Sequence, residues 1–275
     1  MHFAALFTAF LSVTTVRAAL SQKNPGDQNA NLQLEELAEG GIKNPTKPPD
    51  DFFPAFNPWS GGVLPRPPPS SVYNVPAAFY NYVSAKLTVP NAVIPKVLLL
   101  KISLSAWVGI NGYSTNTILQ CGVLMEIDAQ GKLLIQAFYE WIPQDPTAMV
   151  LFSGFPVRIG DVLSFRIETS AGGTVGVVTI ENETTKKTFA RTLKAVDQAS
   201  VLSGKNAEWI VERYIDTRTN KYTVPLDASF TLTDAVAKSS DGQTFGPQDG
   251  IVVNHAPKLL PRVDPGKVTV SYFGG

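Results

Sequence analysis

Histidine is almost missing from this 275-residue chain: His2 and His255 are the only two. Ser/His/Asp and Cys/His nucleophilic catalysis both run through an imidazole. Those chemistries are closed unless His255 serves, and no motif surrounds it. Histidine-based zinc motifs are absent for the same reason. Cysteine is scarcer still, since Cys121 stands alone. No intrachain disulfide or multi-thiolate metal site can form, and a lone Cys with no His nearby reads as a small buried hydrophobe. An excess of either charge is lacking too: 23 Lys and Arg balance 23 Asp and Glu. Nucleic acid therefore has no electrostatic claim on the chain as a partner. Beyond the N-terminus no apolar run is long enough to span a bilayer. Asp128 and Asp145 lack the spacing of a calcium loop. Gly172-Gly173 lies between strand-like runs rather than before a helix, so no phosphate cradle is signalled. An enzyme with this inventory works with carboxylates and amides, with no metal and no cofactor.

What is present begins with an address. MHFAALFTAFLSVTTVRA carries an apolar run from Phe3 to Val16, and Val16-Arg17-Ala18 has the small-x-small form of a cleavage site. Residues 1–18 are therefore expected to be a secretory signal, the mature protein being secreted and extracellular, with no membrane association. Residues 19–56 differ from the rest. One short helical pattern, LQLEELAE, is closed by Gly40-Gly41 and followed by Pro45, Pro48, Pro49 and Pro54. That composition reads as a pro-segment or linker.

From residue 57 to 275 the chain changes character. KVLLLKISLSAWVGI, NTILQCGVLMEI, LLIQAFYEWI, DVLSFRIETS, GTVGVVTIEN, AEWIVERY and KVTVSYF are short and rich in β-branched and aromatic residues. Gly, Pro, Asn and Asp clusters separate them. No sustained helical period and no fixed-length repeat appears. The expected fold class is all-β: an antiparallel β-sandwich in one domain, built on a core that a chain of this length can supply without disulfides. A monomer is expected.

AEWIVERY carries the leading question about chemistry. Glu208 and Glu212 are four apart, so on a strand they share a face. Carboxylates on a half-buried sheet are costly unless solvated, paired or used. At roughly 3.3 Å per residue they would be about 13 Å apart. That exceeds the ~5–5.5 Å of a retaining glycosidase pair and the ~6.5–9.5 Å of an inverting one. At most one of the two is catalytic, with a partner from another strand. Gln120 in TILQCG, Glu140 in YEW and Trp107 in AWVGI are the polar or indole-bearing residues available. Together they describe either a polar groove on a concave sheet face or the ordinary solvent face of a sandwich.

In order along the chain, PWSGG at 58–62, AWVGI, ILQCG, YEWIP, IENETT and AEWIVE resemble the motifs of the glutamic peptidases, or eqolisins. The likeness runs from about residue 57 to about 235. It implies a secreted, acid-acting endopeptidase on a concanavalin-like sandwich, taking polypeptide substrates. The family's catalytic Gln and Glu fall on Gln120 and Glu212. The Glu activates water and passes its proton to the leaving amine, while the Gln amide steadies the oxyanion. Trp59, Trp107, Glu140 and Glu208 are then supporting or substrate-binding residues. The chain departs from the pattern at Asn111 and Leu124, where acidic residues are usual, and at Pro58 before Trp59. An optimum near pH 3–5 is expected, since an unperturbed Glu titrates near ~4.3. Asn182-Glu183-Thr184 is the one glycosylation signal, because Asn44 precedes Pro45. Two other readings stay open: a carbohydrate-binding sandwich with Trp107 and Trp141 as stacking platforms, and a glycoside hydrolase using Glu140 and Glu212.

Overall fold

Alternation of apolar with small or polar residues drives the chain into strands that pack into two antiparallel sheets, described over residues 58–67, 77–92, 102–128, 131–143, 149–216, 221–223 and 225–273 of a computed structural model. The expected signal (1–18) and pro-segment (19–56) lie outside the described residues. With strands numbered in chain order, the front sheet runs β15 (Ile251–Asn254), β1 (Trp59–Leu64), β10 (Ala207–Arg213), β3 (Ile102–Asn111), β4 (Ile118–Ile127), β5 (Leu133–Ile142), β6 (Val150–Leu151). The back sheet runs β16 (Leu259–Asp264), β17 (Lys267–Tyr272), β13 (Ser229–Ser239), β2 (Tyr80–Thr88), β7 (Val162–Thr169), β8 (Val175–Asn182), β9 (Lys187–Lys194), with β14 (Thr244–Phe245) on β13. A small hairpin joins β11 (Ile215–Asp216) to β12 (Lys221–Tyr222). Among the described residues the only helical turns are two short 3-10 segments, and no helix is long and apolar enough to cross a membrane.

The back sheet alternates buried with partly or fully exposed residues, as β8 and β13 show. The front sheet does not. Every residue of β3 is buried, and β4 is buried to its last residue. Their inward residues, such as Val108, Cys121, Val123 and Met125, join Phe165, Ile167, Val83 and Leu87 of the back sheet in the main core. Cys121 is fully buried, as expected of a small hydrophobe, and burial holds its thiol far above the ordinary range. Their outward residues form a second apolar cluster of Val63, Trp107, Ile118, Leu124, Phe138, Ile210 and Val253. A sheet dry on both faces reads as a nearly continuous apolar run. This excludes the reading of the outer face as an ordinary solvent face, because polar groups set into it are withdrawn from water.

Two strands escape local reading. β16 contains Pro261, which signals a break, yet it survives at the sheet edge where a missing N–H costs no ladder bond. β15 is a four-residue edge strand against β1.

Candidate active site

Pairing register decides which side chains meet. β10 lies between β1 and β3, so Trp59, Glu212, Ser105 and Leu124 form one row across the front sheet. The next row holds Gly61, Ile210, Trp107, Gly122 and Phe138, and the third holds Val63, Glu208, Gly109, Gln120 and Glu140. Because strand side chains alternate with period two, all three rows face the same side. Trp59, Trp107, Gln120, Glu140, Glu208 and Glu212 thus share the outer face of the front sheet. Two glycines make room for them. A Cβ on Gly122 would fall 2.6 Å from the Cβ of Trp107, and one on Gly109 would fall 2.9 Å from Glu208 Oε2.

Glu212 is the most accessible acid of this set and is held by two indoles. Trp107 Nε1 donates to its Oε2 at 3.0 Å, and Trp59 adds a second hydrogen bond. The two rings meet edge to face at a centroid distance of 4.9 Å. Burial, then the charge of Glu140, push the Glu212 carboxyl up to about 7, and the two indole bonds only partly oppose them. Desolvation penalises the charged form, and a like charge adds to the penalty.

Gln120 and Glu140 face each other directly across β4 and β5, where Gln120 Nε2 donates to Glu140 Oε2 at 2.6 Å. Both are almost fully buried. Burial raises the Glu140 carboxyl to about 7 despite that bond. Glu208 is completely buried and, among the described residues, accepts the backbone N–H of Tyr113, at 3.3 Å, through Oε1. Burial sends its carboxyl well above the usual carboxylate range. Three acids on one dry face can hold and pass protons, and one carboxamide beside them can donate to a developing negative charge. That is the equipment of amide hydrolysis.

The structure brings in residues that the motifs did not single out. Tyr214 continues the parity of Glu208 and Glu212, and its hydroxyl donates to Ser105 Oγ at 2.9 Å. Extending the alternation two residues past Glu212 would have found it. Asn111 adopts a left-handed backbone, φ 67°, which Asn tolerates well. Its Nδ2 donates to Thr117 Oγ1 at 2.6 Å and its Oδ1 accepts Lys205 N at 3.0 Å. Through these two bonds Asn111, at a departure from the family pattern, braces the loop after β3. Leu124 belongs to the outer apolar cluster.

Two expectations are corrected. The Asn182 sequon falls on a fully buried side chain whose Nδ2 donates to Asp161 Oδ2 at 2.7 Å and to Pro156 O at 3.3 Å, so the folded chain presents no free amide there for a glycan. The turn after β8 is exposed, but Asn182 itself is the last inward residue of the strand. Sugar-stacking platforms are missing as well. Trp107 is 0% exposed, while Trp141 points into the main core and donates its Nε1 to Ser200 O at 2.8 Å. Neither ring offers a face, which removes the basis of the carbohydrate-binding reading.

Comparison with known proteins agrees with this geometry. The model of the peptidase A4 family matches residues 58–271. Aspergillopepsin-2 of Aspergillus niger is 34% identical over 151 residues, 54% of this chain and 51% of that protein, so the match spans about half the length of this curated relative. Among solved structures, aspergilloglutamic peptidase from Aspergillus niger aligns at 32% identity with a TM-score of 0.54, over 62% of this chain and 99% of that one. Scytalido-glutamic peptidase, solved with a transition state analog inhibitor, shares the fold with a TM-score of 0.61 at 24% identity, covering 79% of this chain and 98% of that one. A family match running from the first to the last strand, over a sheet face that gathers one carboxamide and three acids, leads to one conclusion: the chain belongs to the peptidase A4 family.

Proposed function

We propose that this chain is a secreted, acid-acting endopeptidase in which Gln120 and Glu212 carry out the hydrolysis of peptide bonds. The observation that carries the reading is the shared face: an amide held by Glu140 and a carboxylate held by two indoles, coupled by charge through Glu140. Ionised Glu212 takes a proton from a water molecule as the water oxygen attacks the scissile carbonyl. Gln120 has two N–H donors, and Glu140 occupies one of them. The second is available to the oxyanion that forms. Glu212 then returns the proton to the departing amine, and the C–N bond breaks. The same carboxyl serves as base and acid, so the reaction closes with no histidine. A glycoside hydrolase using Glu140 and Glu212 gains no support from the family match.

The buried setting changes the pH expectation drawn from an ordinary Glu. Glu212 must be ionised to act as a base, and burial moves that event from near ~4.3 toward about 7. Glu140 and Glu212 repel one another, so they lose their protons in two steps, and the active form is the state sharing one proton. The optimum therefore shifts to roughly pH 5–7. Purified mature protein should digest denatured casein most rapidly in that range and be indifferent to EDTA and to pepstatin. Glu140→Gln leaves the pair only one proton to lose, so its ascending limb should stay in place while the descending limb of its pH–rate profile moves to higher pH. A wild-type limb centred near ~4 would show that burial does not act on Glu212 as argued.

Residues 1–18 are proposed as the secretory signal and 19–56 as a pro-segment removed on maturation. No dibasic pair occurs between Leu20 and Asn57, so the cut is proposed to be made by the enzyme itself in acid. N-terminal sequencing of secreted material should place the mature start close to Trp59. A start at Ala19 in fully active protein would eliminate the pro-segment.

A further inference from the structure

Of the buried oxygens on the outer face of the front sheet that have no partner among the described residues, two face each other across β3: Glu208 Oε2 and Gln120 Oε1. They belong to the same row, on either side of Gly109. Gly109 has no side chain, and the space a Cβ would take there is shared by Glu208 Oε2 and the Trp107 ring, each 2.9 Å away, with Ile118 Cδ1 at 3.4 Å. An amide oxygen can only accept a hydrogen bond, and so can an ionised carboxylate. Left as they are, both are desolvated acceptors without a donor. Only one protonation state lets the two satisfy each other. A neutral carboxylic acid at Glu208 supplies an O–H that can donate directly to Gln120 Oε1.

We propose that Glu208, as a neutral acid, is a positioning residue for Gln120: it holds the amide oxygen from one side while Glu140 holds the amide nitrogen from the other. The proposal rests on the reading of Gln120 as the oxyanion donor and gives Glu208 the task of fixing which edge of that amide faces substrate. An amide flipped by 180° would present an acceptor to the oxyanion, and donation would be lost. The groups around Glu208 favour its neutral form. Across the row lie Gln120 and Glu140, along its own strand lies Glu212, and from the turn after β3 comes the Tyr113 backbone N–H. Val63 of β1 and Gly109 of β3 are its uncharged register partners, and the Trp107 ring and Ile118 share the space above Gly109. Both charged neighbours are acids, and no Lys or Arg of the described residues pairs with it. Burial acts in the same direction.

The test compares Glu208→Gln with Glu208→Met in the full chain, processed as the wild type is, using steady-state hydrolysis of a fluorogenic peptide between pH 3 and 8. Gln keeps a donor at the same place, so its kcat should stay within about threefold of wild type. Met fills a similar volume without a donor, so its kcat should fall on the order of 10–100-fold at nearly unchanged KM, with the circular dichroism spectrum intact. Where Glu208 ionises, the wild type loses its donor. Glu208→Gln cannot ionise and should keep a larger share of its peak kcat at pH 8. Equal activity of the Met and wild-type proteins overturns the proposal, and so does a Gln variant as impaired as Met. An activity-free measurement separates this proposal from the peptidase reading. At pH 5, the loss of thermal midpoint in Glu208→Met/Gln120→Met should be smaller than the sum of the losses in the two single variants, because each single substitution strands the other member of the pair and the double variant strands neither. Additive losses overturn the contact even if no substrate is ever cleaved.

Discussion

Glu212→Gln and Gln120→Ala are each expected to leave a folded protein with almost no proteolytic activity. Gln at 212 keeps the shape of the side chain and an oxygen for the Trp107 indole, whose Nε1 lies 3.0 Å from Oε2. It cannot accept a proton from water. Loss of the general base is worth about 10²–10⁴ in kcat. Gln120→Ala removes the N–H that meets the oxyanion, a loss on the order of 10²–10³. The two effects should not add, because both residues act in one transition state. Neither change opens a large hole in the main core, since both side chains lie on the outer face of the front sheet. The measurement is kcat on a peptide substrate beside a thermal unfolding curve. Retained activity in Glu212→Gln would show that the wrong carboxylate is assigned.

The second large effect concerns stability against pH. Glu140 has its carboxyl raised from 4.5 to about 7 in the folded protein, chiefly by burial. Below the unfolded value both states hold the proton, and the group costs nothing. As pH rises toward 7 the unfolded chain releases its proton while the folded chain keeps it, so unfolding gains ground. The stability present in acid is lost across that window, by about 3 kcal/mol for Glu140. Glu212 adds to the trend over the same range, and Glu208 extends it to higher pH. The thermal midpoint should therefore drop on the order of 10 °C between pH 5 and pH 8. Measuring it in Gln120→Ala prevents self-digestion without changing the sign, since the Gln120 hydrogen bond acts to lower the Glu140 value. A midpoint that climbs from pH 5 to 8 would contradict the buried acids as the controlling groups.

Much of this molecule could be read along the chain. The shortage of His and Cys limits the chemistry to carboxylates and amides, a property of composition that folding cannot alter. Alternation within Trp209–Tyr214 and the turn-forming breaks between runs specify strands and place Glu208 and Glu212 on one face, because side-chain parity is a local consequence of the extended backbone. Other features depend on which strands become neighbours. β10 pairs with β1 and β3, segments about a hundred or more residues away in sequence, and that pairing alone sets Trp59 and Trp107 on Glu212. The same register leaves Glu208 facing Gln120 across a bare glycine. The pKa of an acid is set by the water taken from it, so Glu140, Glu208 and Glu212 look like ordinary surface carboxylates until the outer apolar cluster closes around their face. Asn182 shows the reverse case: its sequon is perfect in sequence, but inward parity at the end of β8 ties its amide to Asp161. Composition and strand parity act within a few residues and are legible in the sequence. Register and desolvation arise between distant segments, so only the tertiary structure decided them.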